Sequence, residues 1–427
     1  MNITKPEICQ PEIKVKGIAI ENFRGYTNLQ LAFQPDLTVL IGENGAGKTA
    51  VLDCLAALLR VFQEQIHSLE LKKSEKWFDL LDIKQNQFQT SNQVDLLLEN
   101  AEINCKIDFN KNQFKPYLTY PANIESIIEK LHNNNTANLP LFVYYPASNA
   151  PVNAIDFKKA LDNFDTDIFT AYQGALDKQS FDFINFFNWY KWQENIERQI
   201  GKNQILDAVR EAIYNLLSDE HKPFHTLSIN WLNNPNGEMM ICKGETPLNI
   251  NQLSSGEKTL LALVADLARR LAIANPHREN PLMGNGVVLI DEVDLHLHPR
   301  WQRALLSQLQ NTFPNCQFIV TTHSPLLLSH VRHKNVIILE EFQPVKTTPH
   351  TFGRDNHSIL YDLMGVKQRP DEIQQQLDKV YELIDEGKKG EAETLLKVLS
   401  QDLGENDVAI LQAYVSLDFM DFDDETN

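Results

Sequence analysis

The sequence offers no cysteine-based metal site. Its five cysteines, Cys9, Cys54, Cys105, Cys242 and Cys316, include no CxxC pair, so a zinc knuckle or hook has no ligand set. An odd, scattered set fits thiols in a reducing compartment. No apolar run approaches the roughly 20 residues a membrane helix needs. The opening MNITKPEICQPEIKVKG has no apolar stretch of the kind a secretory signal carries. A cytoplasmic protein without a membrane partner is therefore expected. Sustained heptads are missing, which argues against long coiled-coil arms, and no internal repeat is visible. Positive charge is also scarce: Lys+Arg 39 stand against Asp+Glu 57, a net charge of -18. Such a chain does not coat nucleic acid with its whole surface. Net charge leaves room for a local basic groove, and its general consequence is solubility.

What is present is ordinary in amount and specific in order. The 427 residues, 43% of them hydrophobic, suit one large α/β domain with an inserted or appended module. Val15 to Phe23 and Leu29 to Phe33 alternate apolar and polar residues around an Arg24-Gly25 turn, and Leu37 to Ile41 reads as a buried strand. An apolar helix follows over Ala50 to Phe62. Residues 63–245 carry no phosphate-binding pattern. They hold a polar stretch at Asn133 to Thr136, a strand-like Leu141 to Pro146, an aromatic helical run from Phe181 to Trp192, and strands at Thr226 to Trp231 and Met239 to Cys242. Residues 357–420 read as two or three amphipathic helices, closed by an acidic tail from Asp418 to Glu425.

Four patterns carry chemistry. Gly42-Glu43-Asn44-Gly45-Ala46-Gly47-Lys48-Thr49 is a full G-x-x-x-x-G-K-T between an apolar strand and a helix, the setting in which backbone N–H groups cradle phosphates. Lys48 is placed to reach the β- and γ-phosphates of ATP, and the Thr49 hydroxyl to ligate Mg²⁺. Val287 to Ile290 make a buried strand ending in Asp291 and Glu292. Asp291 stands where a carboxylate on the Mg²⁺ side is needed, and Glu292 where one would polarise the attacking water. Leu253-Ser254-Ser255-Gly256-Glu257-Lys258 opens a helix that reads as unbroken and apolar from Thr259 to Ile273. Its hydroxyls and bare N–H groups make an anion site or an ordinary N-cap. Ile319 to Pro325 deliver His323 to the end of a buried strand, where α/β sheets place ligands.

In this order the four patterns resemble the ABC-type ATPases of the SMC/RecF-like branch. Asn22-Phe23-Arg24-Gly25 matches the start of that branch, and Asp291 to Pro299, DEVDLHLHP, resembles the DExxLHLHP stretch of its single-chain bacterial members. The resemblance implies an ATP and Mg²⁺ site formed by Arg24, Gly42, Asn44, Gly45, Ala46, Gly47, Lys48, Thr49 and Asp291, with Glu292 and His323 in catalysis. It also implies a head-to-tail homodimer or larger homo-oligomer, in which Ser254, Ser255, Gly256 and Glu257 of one copy close the nucleotide held by the other. Gln85, Gln87 and Gln89 crowd the place of the glutamine loop. Asp294 is the position implied for the loop that crosses the interface.

The tail resembles a narrower group. His357 to Leu360, Leu363-Met364-Gly365, Arg369-Pro370, Ile384 to Gly387, Ala392, Leu395, Leu396, and Leu403-Gly404 before Asp407 are similar to the PtuA-type ATPase subunits of Septu anti-phage systems and their retron-associated relatives. That resemblance implies a separate PtuB-like HNH nuclease as partner, with nucleic acid reached through the complex and no nuclease activity in this chain alone. The competing expectations are a RecF-like repair ATPase, which needs a basic DNA-tracking surface, and an OLD-type nuclease, which needs an acidic metal-binding domain after His323. A transporter ATPase fits the FRGY start and the insert poorly. The expected architecture is an α/β ATPase head with a strand–loop–helix phosphate site. Its first part spans 1–62 and its second 246–350, with an inserted, partly helical lobe over 63–245 and a helical extension with an acidic tail over 351–427.

Overall fold

The computed structural model describes residues 12–68, 77–98, 101–119, 138–147, 167–178, 183–218, 223–232, 234–365 and 369–424. Cys9, Asn133 to Thr136, Phe181 and Glu425 lie outside the described residues. The chain divides into two compact units, Met1–Arg354 and Asp355–Asn427. Among the described residues no helix is long and apolar enough to cross a membrane.

The first unit opens with β1 (Ile13–Phe23), β2 (Tyr26–Ala32) and β3 (Leu37–Ile41), followed by α1 (Lys48–Ser68). β1 and β2 form an antiparallel hairpin that closes at Phe23 opposite Tyr26, around Arg24 and Gly25. β3 is buried at every position, as a strand covered on both faces must be.

The described parts of residues 63–245 supply strands to sheets shared with the rest of the first unit. β4 (Gln89–Leu98), β5 (Ala101–Asn110) and β6 (Gln113–Thr119) extend the sheet that β1 and β2 begin, in the order β2-β1-β4-β5-β6. The cause is a period-two pattern. Thr90, Asn92, Val94, Leu96 and Leu98 are all buried on one face of β4, and such a face needs a neighbouring strand in fixed register. β1 supplies it, from Ile13 opposite Leu98 to Glu21 opposite Ser91. β7 (Leu141–Tyr145) leaves this sheet and joins the next one. The aromatic run folds as α2 (Phe183–Ile200), followed by α3 (Gln204–Leu217). β8 (Phe224–Asn230), β9 (Glu238–Lys243) and β10 (Thr246–Asn249) form a 3-stranded antiparallel sheet.

Next come α4 (Ser255–Ala274), β11 (Gly286–Ile290), α5 (Pro299–Thr312), β12 (Cys316–Thr321), the short α6 (Pro325–Leu328), β13 (Val336–Glu340) and β14 (Gln343–Pro344). They complete a 6-stranded sheet of order β14-β13-β3-β12-β11-β7. β13, β3, β12, β11 and β7 run parallel. Their carboxyl ends therefore lie along one edge, with the segments after β3, β11 and β12 side by side. That is where open α/β sheets hold ligands.

α4 is not apolar throughout. Asp266, Arg269 and Arg270 are buried within it. Asp266 accepts from Arg269 at 2.8 Å, Arg270 at 2.7 Å and the Tyr145 hydroxyl at 3.0 Å. The pairing and hydrogen bonds offset the heavy cost of taking these charges out of water. The network also ties α4 to β7, which lies on the sheet edge.

The second unit holds more helices than expected: α7 (Asn356–Met364), α8 (Asp371–Asp385), α9 (Lys389–Leu403) and α10 (Val408–Asp424). α8, α9 and α10 share a core of Leu377, Val380, Leu383, Leu396, Leu399, Ile410 and Leu417, among others. Gly387 and Gly404, both with positive φ, fall at the turns between them.

Candidate functional site

The loop after β3 wraps back on itself. Gly42, Gly45 and Gly47 all have positive φ, 149°, 87° and 104°. At Gly47 there is no space for a side chain, since a Cβ would lie 2.4 Å from the Tyr26 hydroxyl. Tyr26 stacks edge-on against Phe342 with ring centroids 5.2 Å apart, so an aromatic pair floors the loop. Lys48, at the start of α1, donates to the carbonyl oxygens of Gly42 at 2.9 Å and Glu43 at 3.0 Å. The ammonium thus closes the ring of backbone that it belongs to. Burial lowers its pKa, while Asp291 and Glu292 nearby work in the opposite direction.

Asp291, immediately after β11, is the hub. One carboxylate oxygen accepts from the Thr49 hydroxyl at 2.9 Å and the other from the Thr321 hydroxyl at 2.6 Å. Thr321 also receives the Glu292 N–H at 2.7 Å. Glu292 has φ 50°, a left-handed backbone that costs a non-glycine residue on the order of 1 kcal/mol. His323, two residues beyond β12, is half-buried. Its pKa falls below the ordinary 6.5, first because of burial and then because Lys48 is near. Gly42, Lys48, Thr49, Asp291, Glu292 and His323 are thereby gathered at the carboxyl edge of three adjacent strands.

The Ser254 to Glu257 stretch is built differently. Ser254 caps α4, accepting from the Glu257 N–H at 3.3 Å, while its own N–H donates to the Glu257 carboxylate at 2.7 Å. This is a reciprocal capping box. Burial opposes ionisation of Glu257, but the Lys243 ammonium and the Ser254 N–H hold its pKa below the usual carboxylate range. Ser254 and Ser255 are exposed. A Cβ on Gly256 would lie 2.5 Å from the His296 carbonyl oxygen, so the helix start is pressed onto the loop that follows Glu292. Among the described residues, no hydrogen bond or ion pair links Ser254 to Glu257 with Gly42 to Thr49.

Some residues are engaged elsewhere. Arg24 is expected at the nucleotide, yet its guanidinium is held by Asp53 on α1 at 2.8 Å and by Asp82 at 3.0 Å. Through Asp53, Arg24 braces α1. Asp53 also accepts from the Tyr144 hydroxyl at 2.9 Å. His298 caps α5 by accepting the Arg300 N–H at 3.3 Å. Asp294 accepts from the Thr322 hydroxyl. Gln85, Gln87 and Gln89 are all exposed, and nothing separates them.

Sequence reasoning missed Thr321, Tyr26, Phe342 and Lys243. Thr321 had a signal, since it lies in the same TTHSP run as His323. Phe342 and Lys243 had none, because each meets its partner through the tertiary fold.

A family model described as "AAA domain, putative AbiEii toxin, Type IV TA system" matches residues 37–329. The chain belongs to this AAA ATPase family. The match takes in every part of the cluster, from the strand before Gly42 to the helix after His323. An ATPase of this family binds nucleotide. The ATPase is 29% identical over 419 residues to the protein named "Retron Vc95 probable ATPase" from Vibrio cholerae serotype O1 biovar El Tor, covering 85% of this chain and 81% of that protein. It is 28% identical over 491 residues to "Retron Ec83 probable ATPase" from Escherichia coli, covering 97% of this chain and 88% of that one. To "Septu protein PtuA" of Bacillus thuringiensis it is 24% identical over 415 residues, covering 95% and 93%.

Proposed function

We propose that this ATPase is the nucleotide-driven subunit of an anti-phage defence complex, and that its ATP state governs a partner HNH nuclease. The observation that carries the reading is the reach of the likeness to the retron and Septu proteins. It extends over 97% and 95% of this chain, past residue 329 where the family match ends, and so takes in the helical second unit.

In this reading the loop N–H groups and Lys48 hold the β- and γ-phosphates. Thr49 and Asp291 fit Mg²⁺. The Thr49 hydroxyl and an Asp291 carboxylate oxygen, 2.9 Å apart, are the hard oxygen ligands that would hold the ion. The ion would supply charge neutralisation on the phosphates. Glu292 polarises the attacking water and His323 hydrogen-bonds the γ-phosphate, for which a neutral imidazole is suited. Ser254 and Ser255, exposed and separate from the loop of their own chain, close the nucleotide of a second copy.

The test is co-expression with the product of the neighbouring gene, then size-exclusion chromatography and a cleavage assay with and without ATP. The reading expects co-elution, no cleavage by this chain alone, and ATP-dependent cleavage by the pair. Metal-dependent cleavage by this chain alone, lost on changing His296 or His298, would overturn it. A wild-type chain that recovers no nuclease would instead favour a RecF-like repair role.

A further inference from the structure

The second unit concentrates the chain's charge. Residues 355–427 hold 18 Asp and Glu against 6 Lys and Arg, a net -12 out of -18 for the whole chain. On the same unit an apolar groove is open. Tyr381 of α8 and Val408, Leu411, Gln412, Val415 and Ser416 of α10 line it. Val408, Leu411 and Val415 fall on one helical face by their spacing, and they are 67%, 48% and 53% exposed. The opposite face of α10 already packs into the helical core through Ile410, Ala413 and Leu417. The stripe is therefore a second apolar face left over once the bundle is complete, and three large side chains in line on water are costly unless something covers them.

The rim is acidic. Asp378 and Asp385 flank Tyr381 along the outer face of α8, and Asp418 continues the Val408, Leu411, Val415 row on α10; all three are exposed. This charge decides between occupants. A second copy of the unit would bring another net -12 to the same groove and be repelled. A nucleic acid or an anionic membrane would be repelled likewise. A basic protein segment is attracted, and its apolar side chains would fill the groove as an amphipathic helix laid along α10.

We infer that the groove between α8 and α10 is the docking site for a basic amphipathic helix of a partner protein. This deepens the partner reading above and rests on it only for the partner's identity, the nuclease. The groove sets the specificity, and the acidic rim sets the rate of encounter and the salt dependence.

Two arms test it on the full-length chain. In the first, a fluorescent peptide with leucine at helical spacing and lysine elsewhere is titrated by anisotropy. The expected result is binding that weakens with salt and falls at least tenfold in Leu411→Glu/Val415→Glu. It falls to a similar extent in Asp378→Lys/Asp385→Lys/Asp418→Lys, and ATPase activity is unchanged in both. Equal binding to wild type and variants, or none to wild type, overturns the inference. In the second arm the nuclease of the proposed function, sought as the product of the neighbouring gene, is co-purified with the same variants. Its loss from both supports the inference; its retention by both overturns the inference and leaves the proposed function standing. Should wild type retain no nuclease, the proposed function fails and the peptide arm alone decides the groove.

Discussion

Thr49 and Asp291 are 242 residues apart in sequence and joined by a 2.9 Å hydrogen bond. That bond brings the first turn of the phosphate-loop helix to the carboxyl end of β11. In the proposed function this pair, one hydroxyl and one carboxylate oxygen, is the edge that would hold Mg²⁺, which prefers such hard ligands. Thr321 fixes the other carboxylate oxygen, so Asp291 has little freedom left.

Asp291→Asn is expected to weaken Mg²⁺-dependent ATP binding about a hundredfold, since a neutral amide replaces a charge-bearing ligand. Mg²⁺-free nucleotide binding should change much less. Titration of a fluorescent ATP analogue with and without EDTA reads both. Equal losses in the two conditions would place Asp291 in folding rather than at the cation.

Lys48→Ala is expected to reduce ATP affinity by about 3 kcal/mol, roughly a hundredfold, because charge-assisted hydrogen bonds to the phosphates are lost. Calorimetric titration measures it. The same change frees the Gly42 and Glu43 carbonyls, which water can satisfy at this open loop, so the melting temperature should move little.

Glu292→Gln separates binding from turnover. Affinity for ATP should stay within a fewfold of wild type, while the steady-state rate falls by about a hundredfold or more, the usual worth of a positioned base. Phosphate release and nucleotide binding, measured on one preparation, give both numbers. Wild-type turnover in this variant would remove Glu292 from the water-polarising role.

How much of this was readable beforehand depends on how local each cause is. Gly42 to Thr49, Asp291 and Glu292 lie in short runs whose local structure is set by neighbours in sequence: the loop between β3 and α1, the start of α1, and the two residues directly after β11. The surroundings of Arg24 are not local: the carboxylates that hold it, Asp53 and Asp82, come from α1 and from the residues before β4. The alternation in Gln89 to Leu98 was present in the sequence, but nothing local says that β1 is the strand it pairs with. Asp266, Arg269 and Arg270 interrupt the apolar helix in plain view. That they are buried and bonded to Tyr145 follows only from the packing of α4 on β7.

The pH dependence carries a further expectation. Burial and then Lys48 push the His323 pKa below 6.5, against Glu292, Asp294 and Asp291, which work to raise it. The folded chain therefore binds this proton less readily than the unfolded chain. Stability from this group is complete above the ordinary value and declines as pH falls through 6.5 towards the lower folded pKa. ATPase activity should hold through pH 6.5 and decline only below it, and His323→Gln should lack that acid limb. A limb centred at or above 6.5 would show that His323 is not the titrating group.

The central claim is that each ATP site needs two copies of the chain, one giving Lys48 and Asp291 and the other giving Ser254 and Ser255. Mixing Lys48→Ala with Ser255→Arg protein and measuring phosphate release tests it most directly. Each variant alone has only broken sites. In a heterodimer one site has both defects and the other has neither, so an equal mixture should regain up to about a quarter of the wild-type rate if exchange is free. A mixture that stays at the sum of its inactive parts, or a wild-type monomer with full ATPase activity, would contradict the account.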